Sequence, residues 1–294
     1  MAEGRIIKAI SGFYYVKSEG EVHQCRGRGV FRKKNITPLV GDFVVFDKNN
    51  PDEGYVLEIK PRKNELVRPP VANIDQAILV SSATMPDFNP LLLDRFLVLI
   101  ESKRIKPILF ITKKDIIPEK QKQVIDSYVS EYRQIGYQVE LLSSKENLSE
   151  LSNFESYFYK NVSVIAGQSG VGKSSFLNAI NPLLQLKTDD ISKSLGRGKH
   201  TTRHVELVEV FDGLVADTPG FSTLDFNEVE ANELDECFPE ISEQKPYCKF
   251  RGCLHNKEPK CAVKQAVENG EISAMRYEHY ISFLNEIISR KPRY

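Results

Sequence analysis

The segment Gly167-Gln168-Ser169-Gly170-Val171-Gly172-Lys173-Ser174 leaves this chain few folds to choose from. It fits G-x-x-x-x-G-K-[ST] at every fixed position, follows the apolar run Val162 to Ala166 and opens a helical pattern, Ser175 to Ile180. Strand, glycine loop and helix in that order are the phosphate-binding unit of an α/β sheet. Glycines let backbone N–H groups turn inward around α- and β-phosphates, and the helix N-terminus adds partial positive charge. Lys173 then reaches the β/γ oxygens, and the Ser174 hydroxyl is placed to ligate Mg²⁺. A glycine-rich turn without a ligand is the alternative, and the strand–loop–helix context speaks against it.

The surroundings carry the same pattern. Ile74 to Val80 and Lys106 to Thr112 are continuous apolar runs of the kind buried in parallel sheets. Leu91 to Lys103 and Glu119 to Ile135 between them read as amphipathic helices. Val205 to Val210, the turn Phe211-Asp212-Gly213 and Leu214 to Ala216 read as a β-hairpin. The expected centre is therefore a P-loop α/β domain, a parallel-rich sheet with helices on both faces, over residues 68–226.

Arg68-Pro69-Pro70 marks the expected boundary with residues 1–67, which read as short strands instead. Arg5 to Tyr15, Val22 to Phe31, Asp42 to Asp47 and Tyr55 to Ile59 are rich in Ile, Val, Phe and Tyr, with glycine turns between them. So many strands in so short a stretch predict a small barrel of the OB type; an SH3-like barrel with a solvated basic edge is the other reading. Arg26, Arg28, Arg32, Lys33 and Lys34 cluster on one strand and the loop after it, with Phe31 among them. Cations interleaved with an aromatic are what single-stranded nucleic acid binding uses.

The formal net charge of the 294 residues is zero, but the charge is unevenly placed. Residues 1–70 hold 13 basic and 9 acidic side chains, net +4; residues 245–294 hold 10 and 5, net +5; the middle is net −9. Two basic ends around an acidic centre fit a chain whose ends touch a polyanion, or charges scattered over solvated faces. With 41% hydrophobic and 27% charged residues, the composition is that of a folded globular protein. The longest greasy run, Leu91 to Ile100, is broken by Asp94 and Arg95, and the N-terminus lacks a secretion signal. A cytoplasmic protein that uses no membrane is expected.

Thr112-Lys113-Lys114-Asp115 closes an apolar strand and resembles the [NT]-K-x-D element of GTPases. A carboxylate at Asp115 accepts from guanine N1–H and the 2-amino group, which adenine cannot match, so ATP is rejected by roughly 10²-fold or more. Lys113 lies along purine and ribose in this reading, and Thr112 in place of Asn gives up one hydrogen bond. Ser143 and Ser144, after the strand Gln138 to Leu142, stand where a second base-contacting loop belongs. Asp217-Thr218-Pro219-Gly220 resembles D-x-x-G, with Asp217 toward Mg²⁺ and Gly220 toward the γ-phosphate. Phe221 follows, where Ras-like enzymes carry a water-positioning Gln. The basic, glycine-rich stretch Ser192 to Arg203 is the expected substitute: Thr201 or Thr202 offers a hydroxyl to Mg²⁺, and His200 positions the attacking water. The other reading of His200 is a loop histidine that meets RNA phosphate, alongside Arg197 and Lys199.

The order of these elements is unusual. Asp115 precedes Gly167 by 52 residues, whereas the base element of an ordinary GTPase follows the P-loop. The domain reads as circularly permuted, so that the segment after Asp217 runs directly into the C-terminal part, residues 227–294. There Cys248-x₄-Cys253-x-His255-x₅-Cys261 supplies three thiolates and an imidazole, the donor set of a closed structural Zn²⁺ site in a helical domain. Disulfide pairing would strand an odd thiol. Lys245, Lys249, Arg251, Lys257 and Lys260 make the knot cationic, and Cys25 and Cys237 read as small buried hydrophobes.

A permuted GTPase with an N-terminal barrel and a C-x₄-C-x-H-x₅-C module resembles the RsgA family (YjeQ/YloQ) of small ribosomal subunit biogenesis GTPases, over the whole chain. The resemblance rests on Thr112 to Asp115, Gly167 to Ser174, Gly198 to Thr202, Asp217 to Gly220, and Cys248, Cys253, His255 and Cys261. It implies an OB-fold, a permuted GTPase domain, a zinc domain, and GTP hydrolysis stimulated by the 30S subunit during its late maturation. The family's catalytic histidine, in G-[RK]-H-T-T, matches His200. GTP, GDP and 16S rRNA are the implied partners, and nothing in the sequence demands more than a monomer. A nucleotide-gated RNA-binding scaffold, in which hydrolysis is incidental, is the rival reading; an ATP-dependent RNA enzyme is disfavoured by Asp115.

Overall fold

The structure, a computed structural model, describes residues 1–29, 31, 36–47, 54–143, 154–180, 205–217 and 224–290, with Asp217 described by its backbone. The chain packs as two compact units, residues 1–78 with 145–222, and residues 79–144 with 223–294.

In the first unit, β1 (Ala2–Ile10), β2 (Phe13–Ser18), β3 (Glu21–Gly27), β4 (Phe43–Asp47) and β5 (Gly54–Ile59) form a closed barrel. Antiparallel ladders join β1 to β2, β2 to β3 and β4 to β5, a parallel seam joins β3 to β5, and β1 with β4 closes the ring. This is the OB-type circuit, not the SH3-like alternative. Strand alternation points Ile6, Val16, Cys25, Val44, Phe46 and Val56 inward, and all are buried. The run Arg5 to Tyr15 is two strands, because Ser11 and Gly12 both take positive φ and turn the chain back. A register shift between Ile6 and Lys8 bends β1, so its first half pairs β4 while Lys8 and Ala9 pair Glu206 and Val205 of β12 (Val205–Val210).

Residues after the barrel are pinned to it. Arg62 pairs with buried Asp42 through Nε (2.7 Å) and Nη2 (2.8 Å). Asn64 exchanges two hydrogen bonds with the Ile74 backbone, and the Asn73 amide reaches the Gly41 carbonyl. The Pro-containing boundary turns a two-stranded hairpin, β6 (Glu65–Val67) with β7 (Pro70–Ala72). Asp75 then accepts from the Val162 N–H at 2.7 Å, holding the first residue of β11 (Val162–Ala166). All of β11 is buried, and it runs parallel to β13 (Gly213–Asp217), whose hairpin with β12 turns on Phe211 and Asp212, both at positive φ.

The second unit begins inside β8 (Gln76–Ser82) and carries the order β10-β9-β8, with β9 (Lys106–Thr112) and β10 (Gln138–Leu141) parallel. Helix α1 (Pro90–Glu101) starts cleanly because the Asn89 side chain accepts from Leu92 N–H and Pro90 occupies its first turn. Helix α2 (Glu119–Ile135) stops at Gly136, which adopts φ 108°. The remaining chain is helical, as its sequence predicts. Its core joins Val98 of α1 to Phe226, Leu234, Phe238, Tyr280, Phe283 and Ile287.

Candidate nucleotide and metal sites

In the first unit, the loop after β11 bends through three glycines at positive φ: Gly167 (145°), Gly170 (79°) and Gly172 (99°). That curvature is available cheaply only to glycine. Val171 is buried and anchors the loop from below, while Gln168, Ser169 and Gly170 stay exposed. Helix α3 (Lys173–Ile180) starts immediately, one residue pair earlier than the sequence pattern places it, with Ser174 half-buried and Ser175 exposed in its first turn. Lys173 folds back so that its ammonium donates to the carbonyls of Gly167 (2.8 Å) and Gln168 (2.7 Å). Burial holds its pKa below the usual lysine value. A half-desolvated cation resting on the loop it would share with phosphate oxygens is a strong anion attractor.

In the second unit, Thr112 ends β9 with its hydroxyl donating to the Ser81 carbonyl at 3.2 Å, and its own carbonyl accepts from Ala83 N–H. The Thr112 side chain thus serves the sheet. Lys113 takes φ 65° and its ammonium donates to the Met85 carbonyl; burial lowers its pKa. Lys114 N–H donates to the Leu142 carbonyl at 3.0 Å, which ties the loop to the residues just before Ser143. The short turn of 3₁₀ helix Lys114–Ile116 leaves Asp115 exposed at the loop's surface.

Also in the second unit, Cys248, Cys253, His255 and Cys261 converge, their donor atoms all within 4.8 Å of one another. Cys248 Sγ lies 3.8 Å from Cys261 Sγ, and His255 Nδ1 lies 3.5 and 3.4 Å from those sulfurs. A tetrahedral ion with Zn–S about 2.3 Å and Zn–N about 2.0 Å requires S···S near 3.8 Å and S···N near 3.5 Å. The cluster fits, and it could hold a metal ion. Backbone N–H groups face the sulfurs: Val263 and Ala262 toward Cys248, His255 toward Cys253, Lys264 toward Cys261. Tight turns through Gly252 (φ 71°), His255 (φ 55°) and Lys260 (φ 57°) fold the knuckle. Glu258 closes it by accepting from the N–H groups of Leu254 and Asn256, both at 2.9 Å. Burial pushes the Cys253 thiol up to about 12, so a cation is what would let it ionise.

Two partners of this cluster escape a motif-based reading. Asp235, twenty residues before His255, places Oδ2 3.3 Å from His255 Nε2, and Lys245 bridges to the same carboxylate at 2.9 Å. In sequence Asp235 is one of two adjacent acidic residues between Leu234 and Cys237, and only the structure shows that Asp235 is the buried one while Glu236 is exposed.

The family described as RsgA GTPase matches residues 59–227, and the RsgA N-terminal domain matches residues 3–56. This chain belongs to the RsgA GTPase family. It is 64% identical to small ribosomal subunit biogenesis GTPase RsgA 2 of Oceanobacillus iheyensis and 62% identical to RsgA of Bacillus cereus, with both chains covered completely in each case. Among solved structures it is similar to YloQ, a circularly permuted GTPase (55% identity, TM-score 0.85, covering 100% of this chain and 97% of that one). It is equally similar in shape to YjeQ from Thermotoga maritima (37% identity, TM-score 0.85, 99% of both chains). The permuted order read from Asp115 and Gly167 is thus the RsgA fold, and the chain is a GTPase.

Several residues expected at RsgA sites lie outside the described residues: Arg32, Lys33, Lys34, Ser144, Arg197, Lys199, His200, Thr201, Thr202 and Gly220. Arg26 and Arg28 are exposed on the barrel, Arg26 stacking over the Phe13 ring at 4.7 Å. Phe31 corrects the sequence reading: it is buried, so it offers no ring to a base. Lys245 likewise is spent on Asp235 in the second unit. Cys25 and Cys237 are buried, as expected. Among the described residues, no helix is long and apolar enough to cross a membrane.

Proposed function

We propose that this chain binds the 30S ribosomal subunit through its 16S rRNA and assists late maturation, hydrolysing GTP to GDP and phosphate when the subunit stimulates it. The observation that carries the reading is a built phosphate loop with Lys173 seated on its carbonyls, in a chain over 60% identical end to end to small-subunit biogenesis GTPases. We assign three modules: a barrel over residues 1–67, the permuted GTPase domain over 68–226, and a metal domain over 227–294.

In this reading the N–H groups from Gly167 to Ser175, through Gln168, Ser169, Gly170, Val171 and Gly172, cradle phosphates, and Lys173 moves from carbonyl to phosphate oxygen. Asp115 takes the guanine edge, with Thr112, Lys113, Lys114, Ser143 and Ser144 framing it. Ser174, Asp217 and Thr201 or Thr202 would hold Mg²⁺, which when bound neutralises phosphate charge. Cys248, Cys253, His255 and Cys261 would hold one structural Zn²⁺. His200 orients the attacking water, and Phe221 offers no substitute, so turnover is slow until rRNA engages His200. Arg26, Arg28, Arg32, Lys33, Lys34, Arg197 and Lys199 contact RNA phosphate. The protein acts as a cytoplasmic monomer.

Kinetics of His200→Ala test the assignment. GTP affinity should stay within a few-fold while 30S-stimulated turnover collapses; unchanged stimulated turnover would refute the role of His200. Binding to 30S that responds to GTP, with no stimulated hydrolysis by the parent, would favour the scaffold reading.

A further inference from the structure

We propose that Asp235 is a positioning residue for the metal centre: its carboxylate fixes the tautomer and orientation of His255, and Lys245 balances its charge. The inference rests on the reading of Cys248, Cys253, His255 and Cys261 as a zinc site.

The geometry assigns the two ring nitrogens different tasks. His255 Nε2 faces Asp235 Oδ2 at 3.3 Å, and Nδ1 faces the sulfurs of Cys248 and Cys261 at 3.5 and 3.4 Å. A carboxylate accepts and cannot donate, so the proton belongs on Nε2 and the Nδ1 lone pair is left for the ion. Both residues are out of water, His255 at 0% and Asp235 at 2% exposure, so solvent does not compete for either group. The rest of the imidazole is held as firmly. Tyr280 packs against the ring with centroids 6.1 Å apart, and Tyr277 Oη donates to the His255 carbonyl at 2.7 Å.

Charge explains the third member. Three thiolates and an imidazole around a divalent cation carry net −1, and a second buried anion alone would be costly. Lys245 Nζ sits 2.9 Å from both Asp235 Oδ1 and Oδ2, so the carboxylate adds orientation without adding net charge. Asp235 also lies in the 3₁₀ turn Leu234–Cys237, whose Leu234 and Cys237 are buried in the same core as Phe238 and Tyr280. The ion would thereby grip a turn distant in sequence from its own knuckle. Carboxylates in this place raise the basicity of the ligating nitrogen, and their loss weakens metal affinity by about 10- to 100-fold.

The test is metal affinity, measured on the full chain by zinc competition with a chromophoric chelator, alongside the visible spectrum of the Co²⁺-loaded protein. The parent should bind one equivalent and show the absorption of a tetrahedral S₃N site. Asp235→Ala should bind Zn²⁺ roughly 10- to 100-fold more weakly. Asp235→Asn, whose amide oxygen still accepts from Nε2–H, should recover most of the loss. Ile287→Ala, a cavity in the same core, should lower stability and leave affinity unchanged. If Asp235→Ala does not fold, Asp235→Asn and Lys245→Met decide, with Lys245→Met expected to weaken binding by a few-fold. Zinc affinity of Asp235→Ala within two-fold of the parent would overturn the inference, and so would equal losses in Asp235→Ala and Asp235→Asn. A parent that binds no metal would instead refute the zinc reading on which it rests.

Discussion

Arg276 is the largest fully buried side chain in the second unit, and replacing it by Met should cost about 3 kcal/mol. It lies in the C-terminal helix α4 (Ala274–Ile288) with no solvent exposure. Its Nη1 donates to Asp94 Oδ1 at 2.5 Å, and Nε and Nη2 donate to the two oxygens of Glu240 at 2.7 and 3.2 Å. The guanidinium also stacks over Phe238, 4.5 Å from the ring centre. Removing one partner of a buried ion pair typically costs about 3–5 kcal/mol, because the other charge stays buried without compensation. Asp94 keeps two donors, Tyr132 Oη at 2.7 Å and His279 Nδ1 at 2.6 Å, which places the cost at the lower end of that range. A loss of about 3 kcal/mol corresponds to a fall in Tm of roughly 6–12 °C for a unit of this size. Urea unfolding followed by circular dichroism measures it directly. Adding Asp94→Asn to Arg276→Met should recover part of the loss, since one of the two carboxylates that lose Arg276 is then uncharged while Glu240 remains. Arg276→Lys should fall between, because an ammonium cannot fork between two carboxylates. A stability of Arg276→Met within about 0.5 kcal/mol of the parent would refute the argument.

Other changes follow from the same structure. Asp115→Asn should lower the preference for GTP over ATP by roughly 10²-fold in competitive binding, with little change in thermal stability; an unchanged preference would remove Asp115 from base recognition. Gly41→Ala should destabilise by more than about 2 kcal/mol, because an added Cβ would meet the Ala72 carbonyl oxygen at 2.0 Å and the backbone sits at φ 95°; a melting temperature unchanged from the parent would contradict it. The hydrogen bond from Arg95 holds the Glu286 carboxyl below its usual pKa. A depressed folded value means its stabilisation is complete above the unfolded pKa and is lost as pH falls through the folded one. Glu286→Gln should therefore flatten the decline of Tm on acidification below the ordinary carboxylate range, and a parallel decline would count against the pair.

What the sequence shows of this fold is what short-range periodicity encodes. Lys106–Thr112, Glu119–Ile135, Val162–Ala166 and Val205–Val210 have the residue limits that their apolar patterns predict. Closure of the barrel is not legible in that way, because β3 pairs β5 and β1 pairs β4 across long stretches of chain, and no local pattern selects those partners. Phe31 misleads for a related reason: flanked by cations it resembles a stacking ring, and only tertiary packing buries it. Spacing alone finds Cys248 to Cys261, since all four donors sit in one short knuckle. Asp235 and the Asp94–Arg276 pair lie 20 and 182 residues from their partners and look like surface charges in sequence. Buried polar groups are recognised by what satisfies them, which a linear reading does not contain.

The central claim is that this chain hydrolyses GTP in response to the small ribosomal subunit. Hydrolysis by purified protein should be followed alone, with 30S subunits, and with 50S subunits and free RNA as controls. A slow basal rate raised many-fold by 30S alone is the predicted result. Equal stimulation by 50S or free RNA, or GTP binding with no stimulation by 30S, would contradict it.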